Sequence, residues 1–258
     1  MAGQKDRMTR KRKSKEGIPA RTSYSGDVYG INEWVLNDEQ QALRELIYTK
    51  DIVFVEGKAG TGKSSTVLYS YVEQYLQDKY KKIVVIRQPV EVGPDKIGAL
   101  PNGLDEKLEP HFIAYRDILE ELLSKGKVEC DFNKRIFFMP SNFAIGRSFH
   151  DSLILITEAQ QMPPMILKML LERIGRNSTC IVEGDSTQMY TTDARRNGLC
   201  AAVKVFFDEL GCVRKDTWED NLAFYRFSNQ YNMRSEIVQI VNDAYEEYSD
   251  GKGERSSN

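Results

Sequence analysis

The sequence predicts an α/β protein: a doubly wound, mostly parallel sheet with helices on both faces. Three observations predict it. Beyond a basic N-terminal stretch, short apolar runs alternate with longer amphipathic segments. Several of the runs are continuously apolar, Leu153-Ile154-Leu155-Ile156 most clearly, as strands covered on both faces are. A glycine-rich segment, Gly57 to Ser64, directly follows the first run, as in strand–loop–helix units.

Residues 1–25 lack periodic apolar positions and are expected to form a disordered tail. Over residues 1–21, eight Lys and Arg against two acids give a net +6, leaving −8 on the remainder of a chain with formal charge −2. A basic arm on an acidic body suits a polyanion such as nucleic acid, and it equally suits a solvated tail. Strands are predicted at Ile52–Glu56, Ile83–Arg87, Ile136–Met139, Leu153–Thr157, Cys180–Glu183 and Ala223–Phe227. Helices are predicted over 38–48, 63–78, 105–124, 163–173, 198–209 and 234–247. No linker divides the body, so residues 26–250 are read as one domain, with residues 251–258 a disordered C-terminus.

The chain has 258 residues, enough for a sizeable core. No apolar stretch reaches the roughly 18 residues of a membrane span, and the N-terminus has no secretory apolar segment, so a cytoplasmic protein without membrane contact is expected. The four cysteines form no C-x-x-C pair and only two histidines occur, which argues against structural zinc and leaves reduced thiols as the expectation.

Gly57-Lys58-Ala59-Gly60-Thr61-Gly62-Lys63-Ser64 satisfies G-x-x-x-x-G-K-[ST] between a strand and a helix that begins near Lys63 and continues through Ser65. The glycines let successive backbone N–H groups turn inward onto phosphate oxygens. The helix start presents its unpaired N–H groups to the same anion. Lys63 is expected to reach the β- and γ-phosphates of ATP, and Ser64 to ligate Mg²⁺.

A second acidic strand belongs beside this one, and Leu153-Ile154-Leu155-Ile156-Thr157-Glu158-Ala159-Gln160 is the candidate. Glu158 is read as the general base that polarises the attacking water, and as a contributor to the metal site. The usual pattern has an Asp before the Glu to hold Mg²⁺; here the position is Thr157, which carries no charge. A third run, Cys180–Glu183, leads into Gly184-Asp185-Ser186-Thr187-Gln188, where Asp185 and Gln188 are the candidate nucleotide-facing groups.

Together these segments resemble the PhoH family, P-loop ATPases related to superfamily 1 helicases, over about residues 36–248. The resemblance implies a RecA-like P-loop NTPase fold, with ATP hydrolysis coupled to RNA or single-stranded DNA. It also implies assembly as a homo-oligomer, in a hexameric ring, in a bacterial or phage-infected cytoplasm. Leu36-Asn37-Asp38-Glu39-Gln40 is similar to the segment ahead of the loop in helicases, which implies a Gln reading the adenine edge, with Gln40 ranked above Gln41 on spacing. Arg87-Gln88-Pro89, Ile97-Gly98-Ala99-Leu100-Pro101, Lys107 and Pro110 resemble the long signature after the second strand, with Gln88 and Asn102 as departures. Leu171-Glu172-Arg173-Ile174-Gly175 resembles a segment that implies Arg173 as a finger reaching a neighbouring subunit's nucleotide. Met233-Arg234-Ser235 resembles one that implies Arg234 as γ-phosphate sensor.

Two other functions fit the residues. Thr157 allows a nucleotide-dependent switch or scaffold that hydrolyses weakly. A small-molecule P-loop kinase would show an Arg-rich lid, which is not apparent, although residues 91–135 form an insertion large enough to hold one.

Overall fold

Six strands form one sheet: β1 (Ile52–Glu56), β2 (Lys82–Arg87), β3 (Ile136–Pro140), β4 (Ser152–Thr157), β5 (Thr179–Gly184) and β6 (Leu222–Arg226). Their order is β3-β2-β4-β5-β1-β6, and every neighbouring pair is parallel. The computed structural model describes residues 31–89, 104–188, 193 and 196–228, with the backbone alone for 104–109 and four isolated positions at 237, 240, 241 and 244. The expectations for the tail, the segment from 90 to 103, Arg234 and residues 251–258 fall outside these residues.

The helices are α1 (Asp38–Thr49), α2 (Lys63–Leu76), α3 (Leu104–Leu123), α4 (Lys125–Asp131), α5 (Ser141–Ala144), α6 (Pro164–Leu171) and α7 (Gly198–Phe206). Strand alternation assigns the two faces of the sheet. Val53, Val55, Ile83, Val85, Leu153, Leu155 and Ile181 join a core with Leu43 of α1, Val67 and Tyr71 of α2, Leu119 of α3 and Val128 of α4. The intervening residues, Phe54, Val84, Ile86, Ile154, Ile156, Cys180 and Val182, pack on Leu167 and Leu170 of α6 and Leu199 of α7. Both faces are therefore covered, which is why the middle of each central strand is a continuous apolar run. Each such side chain contributes roughly 1.5–3 kcal/mol by leaving water.

Local chemistry sets the helix ends. Asn37 caps α1 by accepting from the Gln40 N–H at 2.9 Å, and the Gln40 side chain accepts from the Asn37 N–H at 3.1 Å, closing a capping box. Helix α2 stops at Leu76 rather than 78, where Asp78 takes a left-handed φ of 53°. Helix α7 stops at Phe206 rather than 209. Phe207 turns to an extended conformation and enters the core, its ring 5.7 Å from that of Phe54. Helices α4 and α5 were not expected; at seven and four residues they are too short to show a helical period.

In strand order, the chain passes from β1 to β2 with β5 and β4 lying between them. The carboxyl ends of β1, β5 and β4 thus stand side by side at the switch in strand order, the place where open α/β sheets bind ligands.

Candidate functional site

The glycine-rich loop leaves the end of β1 and enters α2. Gly60 and Gly62 take φ of 90° and 84°, a region in which side chains are strained, and Gly62 is the last residue before the helix. The Thr61 hydroxyl donates to the Lys58 carbonyl at 2.9 Å, pinning the turn from inside. Lys63 folds its ammonium back onto the carbonyls of Gly57 and Lys58, the latter at 2.8 Å. The Gly57 N–H donates to the Gly184 carbonyl at 3.2 Å, which ties the loop's base to the end of β5.

A cavity of about 380 Å³ opens over these strand ends, within the range of small-ligand sites. From the loop and α2 it is lined by Ala59, Gly60, Gly62, Lys63, Ser64 and Ser65. Across from them lie Thr157 and Glu158 after β4, and Glu183, Gly184, Asp185 and Gln188 from β5 and the turn that follows. Arg87 and Tyr115 also line it; the Arg87 guanidinium donates to the His111 carbonyl at 3.0 Å. Gly57, Lys58 and Thr61 do not line the cavity and serve to shape the loop.

Glu158 takes a left-handed conformation, φ 53° and ψ 40°, which costs a side-chain-bearing residue roughly 1–3 kcal/mol. Its Oε2 accepts from Gln160 Nε2 at 2.8 Å. Gln160 is fully buried, and its Oε1 accepts from the Asp185 N–H at 3.2 Å. One amide thus joins the acid after β4 to the turn after β5. Gly184 makes this possible, since a Cβ there would lie 2.3 Å from Gln160 Oε1. Asp185 Oδ1 accepts from the Thr187 N–H at 2.9 Å and from its hydroxyl at 2.6 Å, while Oδ2 is buried with no hydrogen-bond partner.

Glu183 is the residue that sequence reasoning passed over. It is 2% exposed, and its Oε1 accepts from the Ser64 hydroxyl at 2.7 Å. Its Oε2 is buried without a hydrogen-bond partner. Burial pushes the Glu183 carboxyl above the usual range, against the opposing pull of the Lys63 ammonium and the Ser64 and Thr157 hydroxyls. The signal was present: an acid inside an otherwise apolar interior strand has to have a reason to be there. Thr157, 1% exposed, shares a hydrogen bond with the Tyr115 hydroxyl, a partner that no sequence feature indicated.

These groups fit a nucleoside triphosphate and its magnesium. The loop offers N–H groups and an ammonium, and Ser64 offers a hydroxyl oxygen beside an incompletely satisfied buried carboxylate. Among the described residues no three His, Cys, Asp or Glu are grouped to hold a metal unaided. Magnesium is commonly held by one or two carboxylates together with phosphates and water.

Two predicted residues stand elsewhere. Gln40 is 4% exposed, does not line the cavity, and commits its Oε1 to the capping box. Arg173 lies after α6, away from the cavity lining, and its Nε is buried with no hydrogen-bond partner. No described helix is long and apolar enough to cross a membrane.

A PhoH-like protein family model matches residues 34–246. The chain is 30% identical over 209 residues to a PhoH-like protein of Synechocystis, covering 80% of this chain and 60% of the relative. It is 27% identical over 212 residues to protein PhoH of Escherichia coli, covering 81% and 57%. The chain therefore spans a little under two thirds of the length of these relatives. Among solved structures it is similar to the Pif1 helicase from Candida albicans, at 15% identity and a TM-score of 0.37, covering 81% of this chain and 43% of that one.

Proposed function

The chain belongs to the PhoH family, and on that premise we propose that it is a Mg²⁺-dependent ATPase whose turnover is coupled to RNA or single-stranded DNA. One observation carries the reading: the phosphate loop, Glu158 and a buried carboxylate converge on a single cavity at the ends of adjacent strands. ATP would be held by the N–H groups of the loop and of the start of α2, with Lys63 exchanging the Gly57 and Lys58 carbonyls for phosphate oxygens. Bound Mg²⁺ supplies charge neutralisation at the phosphates. Glu158 orients the attacking water and draws its proton, and Gln160 holds that carboxylate in place. Arg87 brings a guanidinium to the cavity wall, where it can meet phosphate.

The reading extends to the whole chain. Residues 26–250 act as one RecA-like unit, and residues 1–25 as a basic arm on nucleic acid. Movement along a strand would come from neighbouring copies of this unit in a homo-oligomeric, hexameric ring in the cytoplasm. Arg173 would then serve as the finger onto a neighbour's nucleotide, Arg234 as the γ-phosphate sensor, and Gln40, through its amide nitrogen, as an adenine contact.

The test is steady-state ATP hydrolysis with Mg²⁺, with and without single-stranded RNA and DNA, using Lys63→Ala as the blank. Turnover lost in the mutant and raised by nucleic acid supports the proposal. Turnover indifferent to both RNA and DNA removes the coupling.

Thr157 favours a second reading, a nucleotide-dependent switch or scaffold. Its hydroxyl is engaged with Tyr115 and it brings no charge to the cavity. On that reading ATP binds with negligible turnover and Thr157→Asp raises it; substantial wild-type turnover would eliminate the idea.

A further inference from the structure

We propose that Glu183 supplies the carboxylate of the Mg²⁺ site, in place of an acid at position 157; the assignment rests on the ATPase reading above. Strands β4 and β5 are paired in parallel, with Ile156 opposite Val182. One step further along the same register, Thr157 and Glu183 are cross-strand neighbours. Both continue the rows that face α2 and α3, following Leu153 and Leu155 on β4 and Ile181 on β5. An acid at either position would therefore point into the same space.

Position 183 is the closer of the two to the phosphate loop. Strand β5 lies directly beside β1, whereas β4 is one strand removed. Val55 pairs with Glu183, and the Gly57 N–H bonds to the Gly184 carbonyl, so the carboxylate sits at the root of the loop. Its reach is visible in the 2.7 Å hydrogen bond from Ser64, the hydroxyl that magnesium requires. While that hydroxyl donates to Glu183, its lone pairs remain available to a cation. A cation ligated by Ser64 would then lie beside the carboxylate, directly or through one water.

The second, independent observation is that Glu183 lines the cavity while its Oε2 is buried without a hydrogen-bond partner. A buried, unpaired carboxylate oxygen is costly to retain without a ligand. Glu158 is a poorer candidate, because its Oε2 is held by Gln160 and its backbone is turned out of the strand. Glu158 is thereby left to the water and Glu183 to the metal.

The experiment measures the dissociation constant of a fluorescent ATP analogue on the full chain, with Mg²⁺ and with EDTA, beside Mn²⁺ binding followed by electron paramagnetic resonance. Glu183→Gln preserves the shape of the side chain and its hydrogen bond from Ser64. It is expected to lose roughly ten- to a hundredfold of the affinity that Mg²⁺ adds, with affinity in EDTA no lower than that of wild type. The relocated pair Thr157→Asp/Glu183→Gln is expected to recover it. Glu158→Gln should keep the Mg²⁺ gain and lose turnover. A wild-type Mg²⁺ gain in Glu183→Gln, or loss of that gain in Glu158→Gln alone, overturns the assignment and leaves the ATPase reading standing. A wild-type chain that binds the analogue in neither condition sinks both. If thermal melting shows Glu183→Gln unfolded, Glu183→Asp, which keeps the charge and shortens its reach, should lose part of the gain; an undiminished gain there also overturns the assignment.

Discussion

Replacing Gly184 by Ala tests the amide bridge between the two acidic strand ends. The added Cβ would lie 2.3 Å from Gln160 Oε1 and 3.0 Å from Leu199 Cδ2, inside ordinary contact distance of both. Gln160 is fully buried, so its side chain has little space to withdraw into. Crowding of this kind costs about 1–3 kcal/mol. Moving the amide also leaves the Asp185 N–H without its 3.2 Å partner, adding about 1 kcal/mol or more. The expected destabilisation is therefore roughly 2–4 kcal/mol. Gln160→Ala alone should cost about 1–3 kcal/mol by leaving the same N–H unpaired. In the double variant most of the collision disappears, and the two effects should fall short of their sum by about 1–2 kcal/mol. Urea unfolding of the four proteins measures the cycle, and ATP turnover follows Glu158, which Gln160 holds at 2.8 Å. Strict additivity, or a Gly184→Ala chain as stable as wild type, would refute the account of Gly184 as space reserved for Gln160.

Three further outcomes are expected. Tyr115→Phe removes the hydroxyl that pairs with buried Thr157 and should lower stability by about 1 kcal/mol in urea unfolding; no change would mean the pair adds nothing. Burial alone would push the Asp131 carboxyl up, but hydrogen bonds from Lys127 and Tyr75 outweigh it and hold the group below its ordinary value. Its stabilisation is present above the unfolded value of about 4 and is lost as pH falls through the lower, folded value. The advantage of wild type over Asp131→Asn at pH 7 should therefore shrink in acid, and a pH-independent gap in unfolding midpoints would contradict it. Deleting residues 1–25, the basic tail, should reduce the steepness with which RNA affinity falls with salt; an unchanged slope would show that the tail makes no phosphate contacts.

All six strands lie within a residue of where the sequence places them, because each carries a short apolar run that packing on the sheet faces requires. The phosphate loop was equally legible, since each residue of G-x-x-x-x-G-K-[ST] answers to a local backbone or ligand requirement. Glu158 was singled out because it directly follows an apolar strand, and Asp185 and Gln188 because they follow another; all three line the cavity.

Short helices α4 and α5 escaped, since fewer than two or three turns cannot establish a period. Gln40 looked like a ligand contact and is also a cap, because the same amide satisfies both patterns.

The sequence by itself determined the parallel α/β architecture, the phosphate loop and the missing acid at position 157. Only the tertiary structure decided what stands beside that position. Strand order and register are set by packing between segments distant in the chain, and they alone make Glu183, 26 residues further on, the neighbour of Thr157 and the partner of Ser64. The acid in β5 marks position 183 as unusual, but which residues it stands beside cannot be read from either segment alone.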